Sequence, residues 1–461
     1  MGLQNSAGLF CLTLNPNKMK VLKFGGTSVG TAQRIRNVAD LIPPNEPILV
    51  VLSAMSGTTN SLIEIANDVV KGRSEKAKVL AKELEDKYYN TSKELFFTDL
   101  YKKRGEEFIN DMFNKLFKDI RNGFNGNEYN ETVAIGELLS TGLFHLYLSE
   151  QKKSTAYLPA LDFIRTNNDQ EPDYFFITER LGRILDDYID TKIFITQGFI
   201  CRNVQGKVDN LGRGGSDYSA AILGNVVEAK EVQIWTDIDG IHNNDPRFVS
   251  GTSPLRELSF DEAAELAYFG AKILHPSTIY PCSRKGIPVI LKNTLQPSDP
   301  GTVISHEYNP SGVKAIAAKD GITAIKIRSS RMLMAHGFLK KIFQIFDEYS
   351  TPVDMITTSE VAVSLTIDNK KNLNKILEEL SVFSTIEVDE EQTIICIVGD
   401  FVADRIGYAG RIFNTLTNIP IRMISYGGSN HNVSILVNSN HKIDTLRALH
   451  QIVSENKLVE A

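Results

Sequence analysis

Lys23-Phe24-Gly25-Gly26-Thr27-Ser28 sets a cation, two glycines and two hydroxyls at the end of an apolar run that begins at Val21. That combination suits an anion. Glycines let backbone amides approach a phosphate, a helix start adds positive potential, and a lysine adds a point charge. The lysine precedes the glycines, so the order is not that of a Walker A loop. Taken alone, such a stretch is also an ordinary strand-to-helix turn. Other residues must decide.

Further stretches carry chemistry. Leu211-Gly212-Arg213-Gly214-Gly215-Ser216-Asp217-Tyr218-Ser219 brackets an arginine with glycines ahead of a helical run. Arginine suits a bidentate grip on carboxylate or phosphate, and Ser216 or Asp217 is the expected helix cap. The hydroxyl-rich loop Ser53-Ala54-Met55-Ser56-Gly57-Thr58-Thr59-Asn60 follows an aliphatic run. It is turn chemistry by composition, and a ligand position if that run is a buried strand. Glu137 stands among apolar and small residues, either partnered at a site or turned to solvent. Asp237 closes Trp235-Thr236-Asp237, where a metal or nucleotide group could be met, ahead of a turn-rich loop carrying His242 and Arg247. Gly270-Ala271-Lys272-Ile273-Leu274-His275-Pro276 adds a second lysine, and its histidine reads as structural.

The elements that must hold these groups follow from periodicity. Residues 48–52, 192–200, 232–236 and 288–293 read as strands, the first as a buried strand of a parallel sheet. Residues 31–41, 61–122, 131–150 and 261–269 read as helices, giving an α/β fold with a mostly parallel sheet between helices. The polar, proline-bearing stretch 296–312 reads as a domain boundary. Beyond it, a strand (322–327), a helix (337–349) and two strands (351–356 and 361–367) recur as 393–398, 410–417, 419–424 and 432–437. This duplication predicts two small α+β sandwiches, suited to sensing rather than chemistry, with sheet edges open to a second copy. Strand 313–317 could pair with either repeat.

Composition narrows the class. The 461 residues allow two or three domains, and 50 basic against 56 acidic residues give a net charge of −6. No nucleic acid or membrane partner is therefore expected. Cys11, Cys201, Cys282 and Cys396 are scattered, which argues against disulfides or a resident metal site and for a cytoplasmic location. Residues 1–18 read as a leader without structural weight, with Met19 as a natural start.

Taken in order, Lys23–Ser28, Gly136-Glu137-Leu138-Leu139-Ser140, Gly212–Tyr218, Trp235–Asp237 and Gly270–Pro276 resemble the signatures of the aspartate kinase family, within the amino-acid kinase superfamily. The C-terminal duplication resembles its tandem ACT domains, and 331–339 with 353–360 resemble the lysine-inhibited, monofunctional branch. The resemblance implies a kinase domain over 19–296 and regulatory domains over 313–384 and 385–461. It implies transfer of the ATP γ-phosphoryl group, with Mg²⁺, to the β-carboxylate of L-aspartate, in a homodimer paired through the ACT domains.

Residue by residue, the resemblance gives Lys23 the phosphoryl charge, the Gly25 and Gly26 amides its cradle, and Lys272 the nucleotide phosphates. Arg213 grips the substrate α-carboxylate and Glu137 its ammonium group. Ser53, Thr59 and Asp217 complete the pocket and order Lys23. Thr236, Asp237, His242 and Arg247 line the nucleotide site, with His242 where the family carries tyrosine. Met332, Ala335, Phe338, Leu339, Asp354, Thr358, Ser359 and Glu360 form the effector site, where Ala335 lacks the usual hydroxyl. Lysine is the expected effector and threonine the competitor. A kinase for another amino-acid carboxylate and a non-catalytic amino-acid sensor are the alternatives.

Overall fold

The computed structural model describes residues 19–212, 214–270, 274, 276–306, 312–329, 336–400 and 407–460. In chain order it begins β1 (Lys20–Phe24), α1 (Ala32–Asp40), β2 (Ile48–Leu52), α2 (Thr58–Val70), α3 (Ser74–Leu95), α4 (Asp99–Asn122), α5 (Glu128–Glu150), β3 (Thr155–Tyr157), α6 (Tyr174–Asp186) and β4 (Ile193–Gln197). Then come β5 (Ile200–Arg202), β6 (Val208–Asn210), α7 (Gly215–Val226), β7 (Glu231–Thr236), β8 (Glu257–Ser259), α8 (Phe260–Tyr268), α9 (Pro276–Ser283), β9 (Val289–Asn293) and β10 (Thr302–Ser305). The C-terminal part holds β11 (Gly312–Arg328), α10 (Phe338–Glu348), β12 (Ile356–Thr358), β13 (Ala362–Ile367), α11 (Leu373–Ser381), β14 (Thr385–Asp400), α12 (Tyr408–Thr415), β15 (Ile421–Tyr426), β16 (Asn432–Asn438) and α13 (Lys442–Glu460).

By contacts the chain forms two units, Met1–Gly240 with Leu274–His306, and Ile241–Ile273 with Glu307–Ala461. The first is built on a sheet ordered β3-β4-β2-β1-β7-β9-β10. Its strands run parallel from β3 to β9, and β10 pairs antiparallel with β9. Every residue of β2 is buried, as a continuous aliphatic run in a doubly covered sheet must be. Ile35 and Val38 of α1, Ile65 of α2, Tyr88 of α3, Phe113 of α4 and Phe144 of α5 join Phe24, Val50 and Leu52 in one core. Each fully buried aliphatic side chain there contributes about 1.5–3 kcal/mol.

The strand expected over 192–200 is shorter. It ends at Gln197, and Phe199 follows Gly198 at a φ of 68°, a conformation that turns the chain into the β5–β6 hairpin. The expected cap of α7 also moves: Gly214, at φ 71°, takes the cap position, leaving Ser216 and Asp217 inside the first turn.

The second unit carries one antiparallel sheet, β12-β13-β11-β14-β16-β15, where two separate sandwiches were expected. The reason is strand length. β11 has 17 residues and β14 has 16, so each runs through both repeats. Ile325, Ile342, Val363 and Ile376 fill one core, and Ile316, Ile397, Ile412, Val433 and Leu446 fill the other. The ambiguous strand is thereby resolved. Val313–Lys319 pairs with the second repeat, against Gly399–Ile394 of β14. Residues 351–355 are not a strand: Thr366 Oγ1 takes the Met355 amide at 3.0 Å, so the ladder starts only at Ile356. No described helix is long and apolar enough to cross a membrane.

Candidate active site

β1 is flanked by β2 on one side and β7 on the other. In a parallel sheet the loops diverge at such a reversal of strand order and leave a crevice at the carboxyl ends. An open cleft of about 450 Å³ lies there, lined by Lys23, Gly26, Ser53, Thr59, Glu137 and Asp217. Motifs far apart in the chain thus meet at one place.

Lys23, the fourth residue of β1, is nearly buried, and its Nζ lies 2.5 Å from Asp217 Oδ1 in the first turn of α7. The carboxylate holds the ammonium group at the strand end instead of letting it sweep through solvent. Gly25 donates its amide to the Trp235 carbonyl at 3.3 Å, which extends the β1–β7 ladder. That amide is therefore committed to the sheet, contrary to its expected place in a phosphate cradle. A Cβ on Gly25 would touch Lys23 Nζ at 3.5 Å, so the missing side chain keeps the ammonium group uncovered. A Cβ on Gly26 would stand 2.6 Å from the Ala54 carbonyl. This close approach, with the Ser56 amide donating to the Gly26 carbonyl at 3.0 Å, locks the two loops together.

Glu137 comes from α5, which reaches the cleft because Gly136 lets the helix seat against Ala54 and Thr58. One carboxylate oxygen, Oε1, accepts the Ala54 amide at 3.3 Å; the other, Oε2, is buried with no hydrogen-bond partner. Burial pushes the carboxyl up to about 8. The neutral form is favoured while no cation is near, and a cationic ligand beside the open oxygen would draw the group into its ionised form. Beneath it, Ser140 donates to the Ser53 carbonyl at 2.7 Å, and Thr141 links to Gln197 at 2.8 Å. The Tyr88 hydroxyl meets Thr58 Oγ1 at 3.1 Å from below the loop that begins at Ser53.

Two helix N-termini open on the cleft, since Gly57 and Gly214 precede α2 and α7 and no side chain caps either helix. Their partial positive charges favour anionic ligands. Phe199 and Ser216 also line the cleft; the sequence offered no signal for Phe199 beyond the preceding glycine. Thr236 and Asp237 lie at the carboxyl end of β7, where Thr236 Oγ1 donates to Asp237 Oδ1 at 3.2 Å. Thr294 ties the Thr236 carbonyl (2.8 Å) to Ser28 (3.3 Å), joining the ends of β7, β9 and β1. Arg213 and Lys272 lie outside the described residues.

The amino acid kinase family profile matches residues 18–293, and an ACT domain profile matches 395–452. Lysine-sensitive aspartokinase 3 of Escherichia coli is 34% identical over 460 residues, covering 95% of this chain and 100% of that protein. The chain belongs to the aspartokinases. Aspartokinase 1 of Arabidopsis thaliana is likewise 34% identical, across 95% of this chain and 80% of its own length. The crystal structure of E. coli aspartokinase III with aspartate and ADP, an R-state, matches with a TM-score of 0.81 at 33% identity, over 94% of this chain and 99% of that one. The T-state structure with lysine and aspartate matches at 0.78 with the same identity and coverage.

Other residues expected from the aspartokinase pattern fall in the second unit. His242 Nδ1 lies 3.2 Å from Thr252 Oγ1, and Arg247 forks onto Asp245 while remaining largely exposed. Phe338 is not turned outward: it packs edge-on against Phe383, 5.7 Å away, in the first regulatory core. Leu339 beside it is exposed. Thr358, Ser359 and Glu360 form the exposed tip of the β12–β13 hairpin, while Asp354 is buried at its base. Met332 and Ala335 lie outside the described residues.

Proposed function

We propose that this aspartokinase transfers the ATP γ-phosphoryl group to the β-carboxylate of L-aspartate in the cleft at the end of β1. The observation that carries the reading is the opposition within one crevice of a held ammonium group, Lys23, and a buried carboxyl group with one oxygen unpartnered, Glu137. The substrate carboxylate is ionised at neutral pH, so the nucleophile needs no general base. Catalysis then reduces to positioning and charge neutralisation.

In this reading Glu137 binds the aspartate ammonium group, and Ser53, Thr59 and Arg213 orient its carboxylates. Lys23, aimed by Asp217, meets the charge on the transferring group, with the Gly26 turn and the two helix N-termini beside it. Lys272, Thr236 and Asp237 hold the nucleotide, and His242 and Arg247 complete its binding. Mg²⁺ enters as MgATP. Among the described residues no three His, Cys, Asp or Glu side chains gather as a metal site. Phosphate oxygens and water would supply most of the ion's ligands, as is usual for this cation.

Trapping the acyl phosphate with hydroxylamine tests the function: product must require both MgATP and aspartate. Glutamate or acetylglutamate serving as well as aspartate would overturn the substrate assignment, and amino-acid binding without MgATP binding by calorimetry would indicate a sensor.

Regulation belongs to the same proposal. The E. coli relative is named for lysine sensitivity, and lysine is the effector proposed here, acting at Asp354, Leu339 and the hairpin tip. The edge strand β15 leaves Ile424 and Tyr426 exposed, and pairing of regulatory sheets into a homodimer is proposed there. The enzyme is proposed to work in the cytoplasm.

A further inference from the structure

Asp354 is the carboxylate that the regulatory reading assigns to the cationic end of an effector, yet this chain's own lysine already holds it. Lys319 Nζ lies 2.7 Å from Asp354 Oδ1 and 2.9 Å from Asp368 Oδ2. The Tyr268 hydroxyl donates to the same Asp354 oxygen at 2.8 Å, and Lys319 Nζ also stands 4.4 Å from the Tyr268 ring centroid. The Asp354 side chain is 1% exposed, so withdrawing its cation would leave an uncompensated buried charge. Its second oxygen, Oδ2, is buried and has no hydrogen-bond partner.

The cluster also pins a particular piece of chain. Tyr268 ends α8, and Gly270, at φ 129°, sits so close to β11 that a Cβ would fall 2.2 Å from the Ala318 carbonyl. Successive residues of β11, Ala318 and Lys319, thus hold Gly270 and Tyr268. Lys272, the proposed nucleotide lysine, follows Gly270 by two residues. Lys319 stands at a register break in β11, between Lys319 and Ile322, where the ladder is locally loosened. An apolar cluster would hold these elements at least as well as a buried ion pair does. The chemistry of the cluster points to exchange.

We propose that Lys319 is an internal stand-in for the ammonium group of the effector. Without an amino acid bound, it occupies Asp354 and clamps the segment from Tyr268 to Gly270 that leads into Lys272. A cationic amino acid takes over Asp354 by displacing Lys319, and the displacement releases the clamp. Tyr268 and Lys319 are positioning residues in this scheme, which rests on the assignments of Asp354 to the effector and Lys272 to the nucleotide.

The test uses the full chain in the hydroxamate assay, titrated with lysine and with MgATP. Weakening the clamp favours the effector-bound form, by reciprocal linkage. Lys319→Met and Tyr268→Phe should therefore lower the half-inhibiting lysine concentration by about fivefold or more. Both should raise the KM for ATP with kcat retained, and Lys319→Arg should restore both quantities. Variants that melt like the wild type, yet keep wild-type lysine sensitivity and KM for ATP, would overturn the proposal. Should Lys319→Met fail to fold, Tyr268→Phe decides, since it removes a single hydroxyl. A wild-type protein indifferent to lysine overturns the effector assignment and the stand-in role. In that case the KM for ATP of Tyr268→Phe still decides the clamp.

Discussion

Lys23 Nζ and Asp217 Oδ1 lie 2.5 Å apart, one from the end of β1 and the other from the first turn of α7. The acid is less a base than an aiming device. It fixes an ammonium group that would otherwise sample several rotamers, next to two helix N-termini that attract anions. Lys23→Ala should lower kcat by about 10²–10³-fold while the KM for aspartate moves little, the pattern of a contact made mainly in the transition state. Asp217→Asn, which keeps the shape and removes the charge, should cost about tenfold or more. Steady-state kinetics checks both, and an unchanged kcat in Lys23→Ala would exclude the assigned role.

The role proposed for Glu137 makes aspartate binding pH-dependent. Its carboxyl titrates near 8 in the folded chain against an ordinary value of 4.5, so between those values the native state holds a proton that the unfolded chain does not. The resulting stability is fully present below about pH 4.5 and is lost as pH rises through about 8. Glu137→Gln is neutral throughout, so its melting temperature should gain on the wild type as pH is raised across that window. Binding has the opposite sign, because the substrate ammonium group pairs with the ionised form. The KM for aspartate should fall with rising pH, by up to about tenfold per unit below pH 8, and this slope should vanish in Glu137→Gln.

Gly136 and Gly26 are places where backbone or side chain fills the space of a Cβ. An alanine at 136 would meet Ala54 Cβ at 2.8 Å, and one at 26 would meet the Ala54 carbonyl at 2.6 Å. Each substitution is expected to destabilise by about 1–3 kcal/mol, since packed neighbours must move. Gly136→Ala should in addition raise the KM for aspartate, because α5 carries Glu137 away from the loop. Chemical denaturation paired with kinetics separates the two effects.

Tyr88 supports the same loop from beneath through its bond to Thr58. Tyr88→Phe leaves a buried threonine hydroxyl without that partner, with an expected loss of about 1–3 kcal/mol. If the loop is held as described, the KM for aspartate rises as well; a loss of stability with unchanged KM would make the tyrosine purely structural.

Much of the α/β layout was legible because its signals are local. The aliphatic run of β2 is buried on both faces wherever it is placed. The glycines after Lys23 are legible as a turn, but the need for them comes from what lies opposite, the Ala54 carbonyl and the Lys23 ammonium group. Glu137 was visible only as an acid among apolar neighbours, and spacing left its surroundings open. The shortening of the 192–200 strand turned on Phe199, a residue type with no preference for its left-handed backbone.

From the sequence alone came the chemical inventory: cations, an acid, hydroxyls and glycines in an order that matches a carboxylate kinase, followed by a repeated regulatory unit. Residue type and chain order determine these. Tertiary structure alone decided which groups meet. The pairing of Lys23 with Asp217, the unpartnered oxygen of Glu137 and the capture of Asp354 by Lys319 all depend on elements distant in the chain. So does the fusion of two expected sandwiches into one sheet, because strand pairing follows from whole lengths of β11 and β14. Burial and partnership are properties of the packed chain, and they turn an inventory of charges into a site with a direction.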